Sequence, residues 1–292
     1  MKIAIYGLKA GEELKVSFEA FFEELRTRNI QITVESEFLQ ILKDLISCDF
    51  SGVETFSSYE DLQKDIDLFF TFGGDGTILS AATIIQDKKI PVVGVNTGRL
   101  GFLATINIEL LFESLENILS GNYIISKRSL IEVHSDEDEI EFPFALNEIT
   151  VTRRETTSMI TVEAFMNGEF LNAFWADGLI VSTPTGSTGY SLSCGGPIVH
   201  PDNHTFIITP IAPHNLNVRP LMIPDDSEIE LRIESRVNEY FLSLDARNKP
   251  LSTQVRLKLK KAGFHLHIAE PKDKTYLMTL RDKMFWGSDK RN

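Results

Sequence analysis

Leu68-Phe69-Phe70-Thr71-Phe72-Gly73-Gly74-Asp75-Gly76-Thr77 is the stretch around which the rest of the chain is arranged. Its first five residues form an apolar run of strand length, and Ile78-Leu79-Ser80-Ala81-Ala82-Thr83-Ile84-Ile85 reads as a helix. A glycine turn between strand and helix suits phosphate, because glycine admits a ligand close to the backbone and the first N–H groups of the helix point at the anion. Asp75 is the odd member, since a carboxylate repels phosphate. Two roles justify it: holding Mg²⁺ across phosphate oxygens, or taking the proton of a hydroxyl that attacks phosphorus. A purely structural reading makes Asp75 a helix N-cap and the glycines a tight turn. The G-x-x-x-x-G-K-[ST] pattern is absent, so this is not a Walker A loop.

Outward from this loop, the first third of the chain alternates strand and helix. Lys2–Tyr6 and Ile30–Val34 read as strands. Glu12–Arg28 and Phe38–Ile46 read as helices, the first carrying Leu14, Phe18, Phe21, Phe22 and Leu25 at helical spacing. Ile90–Val95 is a further buried strand, and Ile108–Leu119 a further helix. The order predicts a parallel sheet with helices on both faces, which binds ligands beyond the carboxyl ends of its strands. The segment Asn96–Leu103 lies at such an end and brings Gly98, Arg99 and Gly101 to the rim of Asp75, with Arg99 either meeting phosphate or solvated.

After about residue 122 the period changes from helical to two. Tyr123–His134, Ile140–Arg153, Met159–Met166 and Glu169–Trp175 read as strands, with a hairpin signal at Asn167-Gly168. Phe206–Ile211, Glu228–Ser235, Glu239–Leu244, Gln254–Leu259 and Phe264–Ala269 follow. Residues 1–122 are expected to form an α/β domain, Rossmann-like, with a parallel sheet. Residues 123–292 are expected to form an all-β domain whose tail, Lys274–Trp286, is a C-terminal helix returning to the first. Asp136–Glu139 reads as a solvated acidic turn. Within the β half, Asp177–Tyr190 is rich in hydroxyls and glycine and reads as a polar loop open to a ligand, extended by Gly195-Gly196-Pro197. Asn147-Glu148 is a polar pair in an apolar strand, and a half-buried carboxylate there needs a partner.

Composition narrows the class. At 292 residues with 42% hydrophobic content the chain can bury real cores. The formal net charge of −13 argues against a general nucleic-acid or membrane-surface binder. Two cysteines, Cys48 and Cys194, cannot build a disulfide framework. The first residues read as a strand rather than a leader, and no apolar run approaches a membrane span, so the expected location is cytoplasmic. His265 and His267 stand two apart on a strand and read as surface or packing residues rather than a metal pair.

Taken together, these stretches resemble the NAD kinase family. The resemblance rests on Gly73–Thr77, Gly94–Leu103, Asn147-Glu148, Asp177–Tyr190 with Gly195-Gly196-Pro197, and His214 through Arg219-Pro220, in the family's order and spacing. It implies transfer of the γ-phosphate of ATP, or of polyphosphate in some members, to the adenosine 2′-hydroxyl of NAD, giving NADP. Asp75 matches the family's general base, and Gly73, Gly74, Gly76 and Thr77 its phosphate site. Asn147 and Glu148 would hold the adenosine part of NAD. Asp177, Thr185, Thr188, Gly189, Tyr190 and Ser193 would line the dinucleotide site. Mg²⁺, or another divalent metal, is implied with the donor. A homodimer or homotetramer is implied too, in which the counterpart of Asp177 reaches a neighbouring subunit's ligand. The sequence departs from the family at Gly189, where alanine is common, and at Asp245-Ala246-Arg247, where Asp-Gly-Gln is frequent. A lipid or sugar kinase sharing the glycine loop, and a non-catalytic NAD(P) sensor, are the alternatives. Retention of Asp75 argues against the sensor, which has no use for a base beside phosphate.

Overall fold

The computed structural model describes residues 1–98, 101–136, 139–155 and 157–286. The chain forms two compact units, Met1–Lys127 together with the chain from Leu266 on, and Arg128–His265. The units therefore divide inside the strand Tyr123–Ser135, a little beyond the change of period in the sequence, and the tail counts with the first unit.

In the first unit the strands Glu54–Phe56, Gln31–Glu35, Lys2–Gly7, Leu68–Phe72 and Val92–Asn96 lie side by side in that order, all parallel. Side chains alternate between faces of a strand. Ile3, Ile5, Phe70, Phe72, Val93 and Val95 accordingly join one core with the helices Lys15–Thr27, Ser36–Leu45 and Leu111–Leu119. The rings of Phe18 and Phe21 meet that of Phe72 at centroid distances of 4.9 and 5.1 Å. Fully burying one such side chain is worth roughly 1.5–3 kcal/mol. On the opposite face Ile78 of the helix Asp75–Ile85 packs over Gly94, its Cδ1 2.7 Å from where a methyl on that glycine would stand. The sheet thus carries helices on both faces. The C-terminal helix Tyr276–Met284 returns to this unit: Thr275 Oγ1 caps its start, and Lys274 Nζ donates to Thr105 O at 2.7 Å.

The second unit is β-rich. One antiparallel sheet runs Leu221–Pro224, Thr205–Ile211, Gly178–Ser182, Glu148–Arg153, Glu239–Leu244, Arg247–Ser252. A second antiparallel series joins Glu169–Ala176, Ile160–Met166, Ile229–Glu234 and the first part of Leu257–Pro271. Val151, Val181, Leu242, Val162, Leu231 and Leu257 share one apolar core. The hairpin at Asn167-Gly168 forms with φ of 52° and 84°, the positive pair that a tight two-residue turn requires.

Several elements differ from the sequence reading. Ile140–Arg153 is not one strand but Phe144–Ala145 and Glu148–Arg153, because the amides between them bond to the Asp245 carboxylate instead of a neighbouring strand. Asp177–Tyr190 is not one loop. Gly178–Ser182 is a buried central strand, since Leu179, Ile180 and Val181 are apolar enough to fill both faces. Gln254–Leu259 and Phe264–Ala269 are parts of one strand, Leu257–Pro271. Lys260 and Lys261, between the two expected strands, find partners in Glu132 and the buried Asp225, and the strand continues through them. The short strands Glu54–Phe56, Leu221–Pro224 and Arg247–Ser252 had no clear alternation to announce them.

Candidate active site

In the first unit, Leu68–Phe72 ends at Gly73, whose φ is 154°, and the helix begins with Asp75 behind an N-cap at Gly74. The cap position has no side chain to satisfy the helix amides. Gly74 and Gly76 are exposed, with no atom within 4 Å of where a methyl would stand on either. The helix N-terminus is therefore open, with unfilled N–H groups and a favourable dipole for an anion. Thr77 is buried and belongs to the turn, its N–H donating to Gly74 O at 3.0 Å.

Asp75 is not an N-cap. Its Oδ1 accepts the backbone N–H groups of Leu103 at 3.0 Å and Ala104 at 2.9 Å, and its Oδ2 accepts that of Phe102 at 2.8 Å. The carboxylate thus ties the loop after Val92–Asn96 to the glycine turn. Gly101 is the close approach that permits this, since a methyl there would lie 1.8 Å from Asp75 Oδ1. A carboxylate offers about four lone-pair positions. Among the described residues three are filled, and the fourth is on Oδ2. Arg99 lies outside the described residues. Nothing in the local sequence pattern announces the three amides. The glycines of residues 96–103 were visible, but not what they made room for.

The second unit carries the other predicted residues. Asn147 and Glu148 sit where Phe144–Ala145 passes into Glu148–Arg153, and both are half-buried. Their backbone is held by Asp245. Its Oδ1 accepts from Asn147 N at 2.8 Å and Glu148 N at 3.2 Å, and its Oδ2 from Leu146 N at 2.9 Å. Burial pushes the Asp245 pKa up, against the pull of these amides and of Arg247. Burial, and then the Asp245 charge, push the Glu148 pKa up to about 7, with the Tyr190 backbone N–H pulling the other way. Glu148 Oε2 is buried with no hydrogen-bond partner among the described residues. Such an oxygen is costly to bury and suits a ligand hydroxyl. Arg247 is spent on the chain itself, its guanidinium donating to Phe142 O at 2.7 Å and also to Phe144 O. In the sequence Asp245 stands only as the first residue of a tripeptide that departs from the family pattern, and its part in holding Asn147 and Glu148 is not visible there.

The turn after Gly178–Ser182 packs directly on this pair. Thr183 N donates to Asn147 O at 2.8 Å, and Thr183 Oγ1 to Leu146 O at 2.6 Å. Thr185–Thr188 is a single helical turn, in which Thr185 is buried and Thr188 Oγ1 donates to Thr185 O at 3.2 Å. Gly189 N closes on Gly186 O at 2.8 Å. Tyr190–Ser193 follows as one more turn, with Tyr190 and Ser193 exposed. Asp177 precedes the strand and pairs with Arg153 Nη2 at 3.0 Å. Asn147, Glu148, Gly189 and Tyr190 are thus brought together. Asp177 is engaged with an arginine at the far end of the same strand.

Comparison with known proteins agrees with these features. The ATP-NAD kinase N-terminal domain matches residues 10–123, and the ATP-NAD kinase C-terminal domain matches residues 146–270. The chain is 47% identical to the NAD kinase of Flavobacterium psychrophilum over the whole of both chains. Among solved structures, the NAD kinase from Archaeoglobus fulgidus in complex with ATP is 26% identical with a TM-score of 0.75, over 98% of this chain and 99% of that one. Yeast NADH kinase complexed with NADH shares the fold, with a TM-score of 0.88 at 23% identity over 100% of this chain and 89% of that one. The chain belongs to the NAD kinase family, phosphotransferases with an alcohol group as acceptor.

Proposed function

We propose that the chain transfers the γ-phosphate of ATP to the adenosine 2′-hydroxyl of NAD, with Asp75 as general base. The observation that carries this reading is Asp75 itself. It stands at the head of the helix behind an open glycine turn, its carboxylate ordered by three amides and, among the described residues, one lone pair of Oδ2 left over. A sugar hydroxyl is a far weaker acid than a carboxylic acid, so a positioned base must take its proton as the bond to phosphorus forms. Gly73, Gly74, Gly76 and Thr77 shape the donor-phosphate site, and the helix N-terminus offsets negative charge there. Asn147 and Glu148 hold the adenosine ribose, the unpartnered Glu148 Oε2 accepting from a ribose hydroxyl. Asp177, Thr185, Thr188, Gly189, Tyr190 and Ser193 line the rest of the dinucleotide site.

Among the described residues no three His, Cys, Asp or Glu side chains cluster as a metal cage. A Mg²⁺, or another divalent ion, would arrive on the phosphates of the donor and keep most of its water. Bound there, it would supply neutralisation of phosphate charge.

The same reading makes the protein a cytoplasmic homodimer or homotetramer. No helix among the described residues is long and apolar enough to cross a membrane, and both cysteines are free. Exposed Phe170, Trp175, Leu221 and Met222 give the β-rich unit apolar surface for a second copy. Sedimentation showing only monomer would remove the oligomer from this reading.

Incubation with ATP, Mg²⁺ and NAD tests the activity, and NADP should accumulate one for one with ADP. ADP released only with a lipid or sugar acceptor would replace NAD as substrate. NAD binding without any turnover would leave a sensor.

A further inference from the structure

The turn between Glu239–Leu244 and Arg247–Ser252 lies beside the stretch where Phe144–Ala145 passes into Glu148–Arg153. From this turn onward, every second residue grips that stretch by its main chain. Asp245 accepts the N–H groups of Leu146, Asn147 and Glu148, and its own N–H donates to Glu148 O at 3.0 Å. Arg247 donates through Nη1 to Phe142 O at 2.7 Å and through Nη2 to Phe144 O. Lys249 Nζ donates to Glu139 O at 2.6 Å. Each grip carries the charge that its main-chain partner requires, an anion for N–H and a cation for C=O. Burial raises the Asp245 pKa, and Arg247 opposes that rise, favouring the carboxylate that accepts. The grip at Phe142 also holds a backbone conformation that a bulky residue avoids, with φ of 47°.

We propose that this turn is a clasp that preorganises the acceptor site, with Arg247 as a positioning residue whose fork on Phe142 O and Phe144 O fixes the chain leading into Asn147-Glu148. This rests on the reading that Asn147 and Glu148 hold the ribose of NAD. A pair already in place binds the ribose without the cost of ordering its own backbone. Arg247 acts through the main chain and not on the ligand. Glutamine, frequent at this position in the family, also carries side-chain N–H groups and keeps one arm of the grip.

Two measurements on the full-length protein test this. In ligand-free wild type the amides of Leu146, Asn147 and Glu148 should already be protected from hydrogen exchange, and NAD should add little. Equilibrium binding of NAD to wild type, Arg247→Met, Arg247→Gln, Lys249→Met and Glu148→Ala is the second. Arg247→Met keeps the length of the stem and removes the donors. It should speed exchange of the three amides and weaken NAD about tenfold, with the KM for ATP within about twofold of wild type. Arg247→Gln should recover most of both losses. Lys249→Met removes the same charge from the exposed end of the clasp and should leave NAD affinity within about twofold. An Arg247→Met protein that melts lower yet binds NAD like wild type would overturn the proposal, since the grip would then serve stability alone. Equal weakening by Lys249→Met would overturn it too, because lost positive charge would explain the effect. Should Arg247→Met not fold, the wild type decides: three amides that exchange freely until NAD is bound would show that the clasp preorganises nothing. Each of these results leaves the acceptor site standing. Unchanged NAD affinity in Glu148→Ala would overturn the acceptor site and the clasp together.

Discussion

Asp75 Oδ2 accepts the backbone N–H of Phe102 at 2.8 Å, its one donor among the described residues, while Oδ1 accepts two. The carboxylate is therefore a brace for the loop, and the proposed function uses its remaining Oδ2 position as the acceptor for a substrate hydroxyl. Asp75→Asn separates these roles incompletely. Its amide group must face at least one backbone N–H, whichever way it turns. Loss of that bond should cost about 1–3 kcal/mol of stability, read from denaturant midpoints. Loss of the base should lower kcat by at least ~10²-fold, with NAD affinity changed little. A kcat near wild type would reduce Asp75 to a brace.

Gly101→Ala approaches the same carboxylate from the other side. The added methyl would stand 1.8 Å from Asp75 Oδ1 and 2.6 Å from its Cγ, so the carboxylate must move. Displacing a reacting group by an ångström can cost about 10²-fold. Steady-state kinetics should show kcat reduced at least tenfold, with KM for NAD nearly unchanged. A loss carried by KM alone would show that the loop of residues 101–104 serves binding rather than the base.

Legibility followed periodicity. The strand Leu68–Phe72 and the helices around Phe18 and Leu42 were plain, because apolar residues recur there at one clear spacing. The glycine turn was visible as a stretch, but its residues alone left Asp75 between a helix N-cap and a role beside phosphate. What stayed hidden depends on partners far away in the chain. Asp75 meets the amides of residues 102–104, and Asp245 those of residues 146–148, across separations that no local pattern encodes. Gly178–Ser182 was obscured by the hydroxyl run that follows it, although Leu179-Ile180-Val181 is an ordinary buried strand.

Glu148 gives a pH dependence with a defined sign. Its carboxyl sits at about 7 in the folded protein against an ordinary 4.5, so the folded state holds the proton more tightly. Stability from this group is fully present below about 4.5 and is lost as pH rises through about 7. Glu148→Gln removes that loss. The variant should be more stable than wild type at about pH 8, by roughly 2 kcal/mol, and should converge with it near pH 4. NAD affinity should move oppositely. In wild type it should tighten between about pH 6 and about pH 8 as the carboxylate forms, and in Glu148→Gln it should be weak and flat. A wild-type affinity that ignores pH over this range would remove Glu148 from the acceptor site.

Asp245 provides the last test, because it both holds the Glu148 backbone and raises its pKa. Asp245 has a positive φ of 53°, which asparagine tolerates well, so Asp245→Asn keeps the turn into Arg247–Ser252. It removes the neighbouring negative charge. The pH midpoint for NAD affinity should therefore fall below that of wild type, since a like charge no longer opposes ionisation of Glu148. Asp245→Ala is a different lesion. Three amides, of Leu146, Asn147 and Glu148, lose their acceptor at once in a buried place. That variant should lose at least ~3 kcal/mol, more than any surface substitution in the same hairpin, and its NAD affinity should fall with it. A midpoint in Asp245→Asn that equals or exceeds the wild-type value would show that the charge on Asp245 does not govern Glu148. An Asp245→Ala protein with wild-type stability would show that water can replace the carboxylate as the acceptor for all three amides.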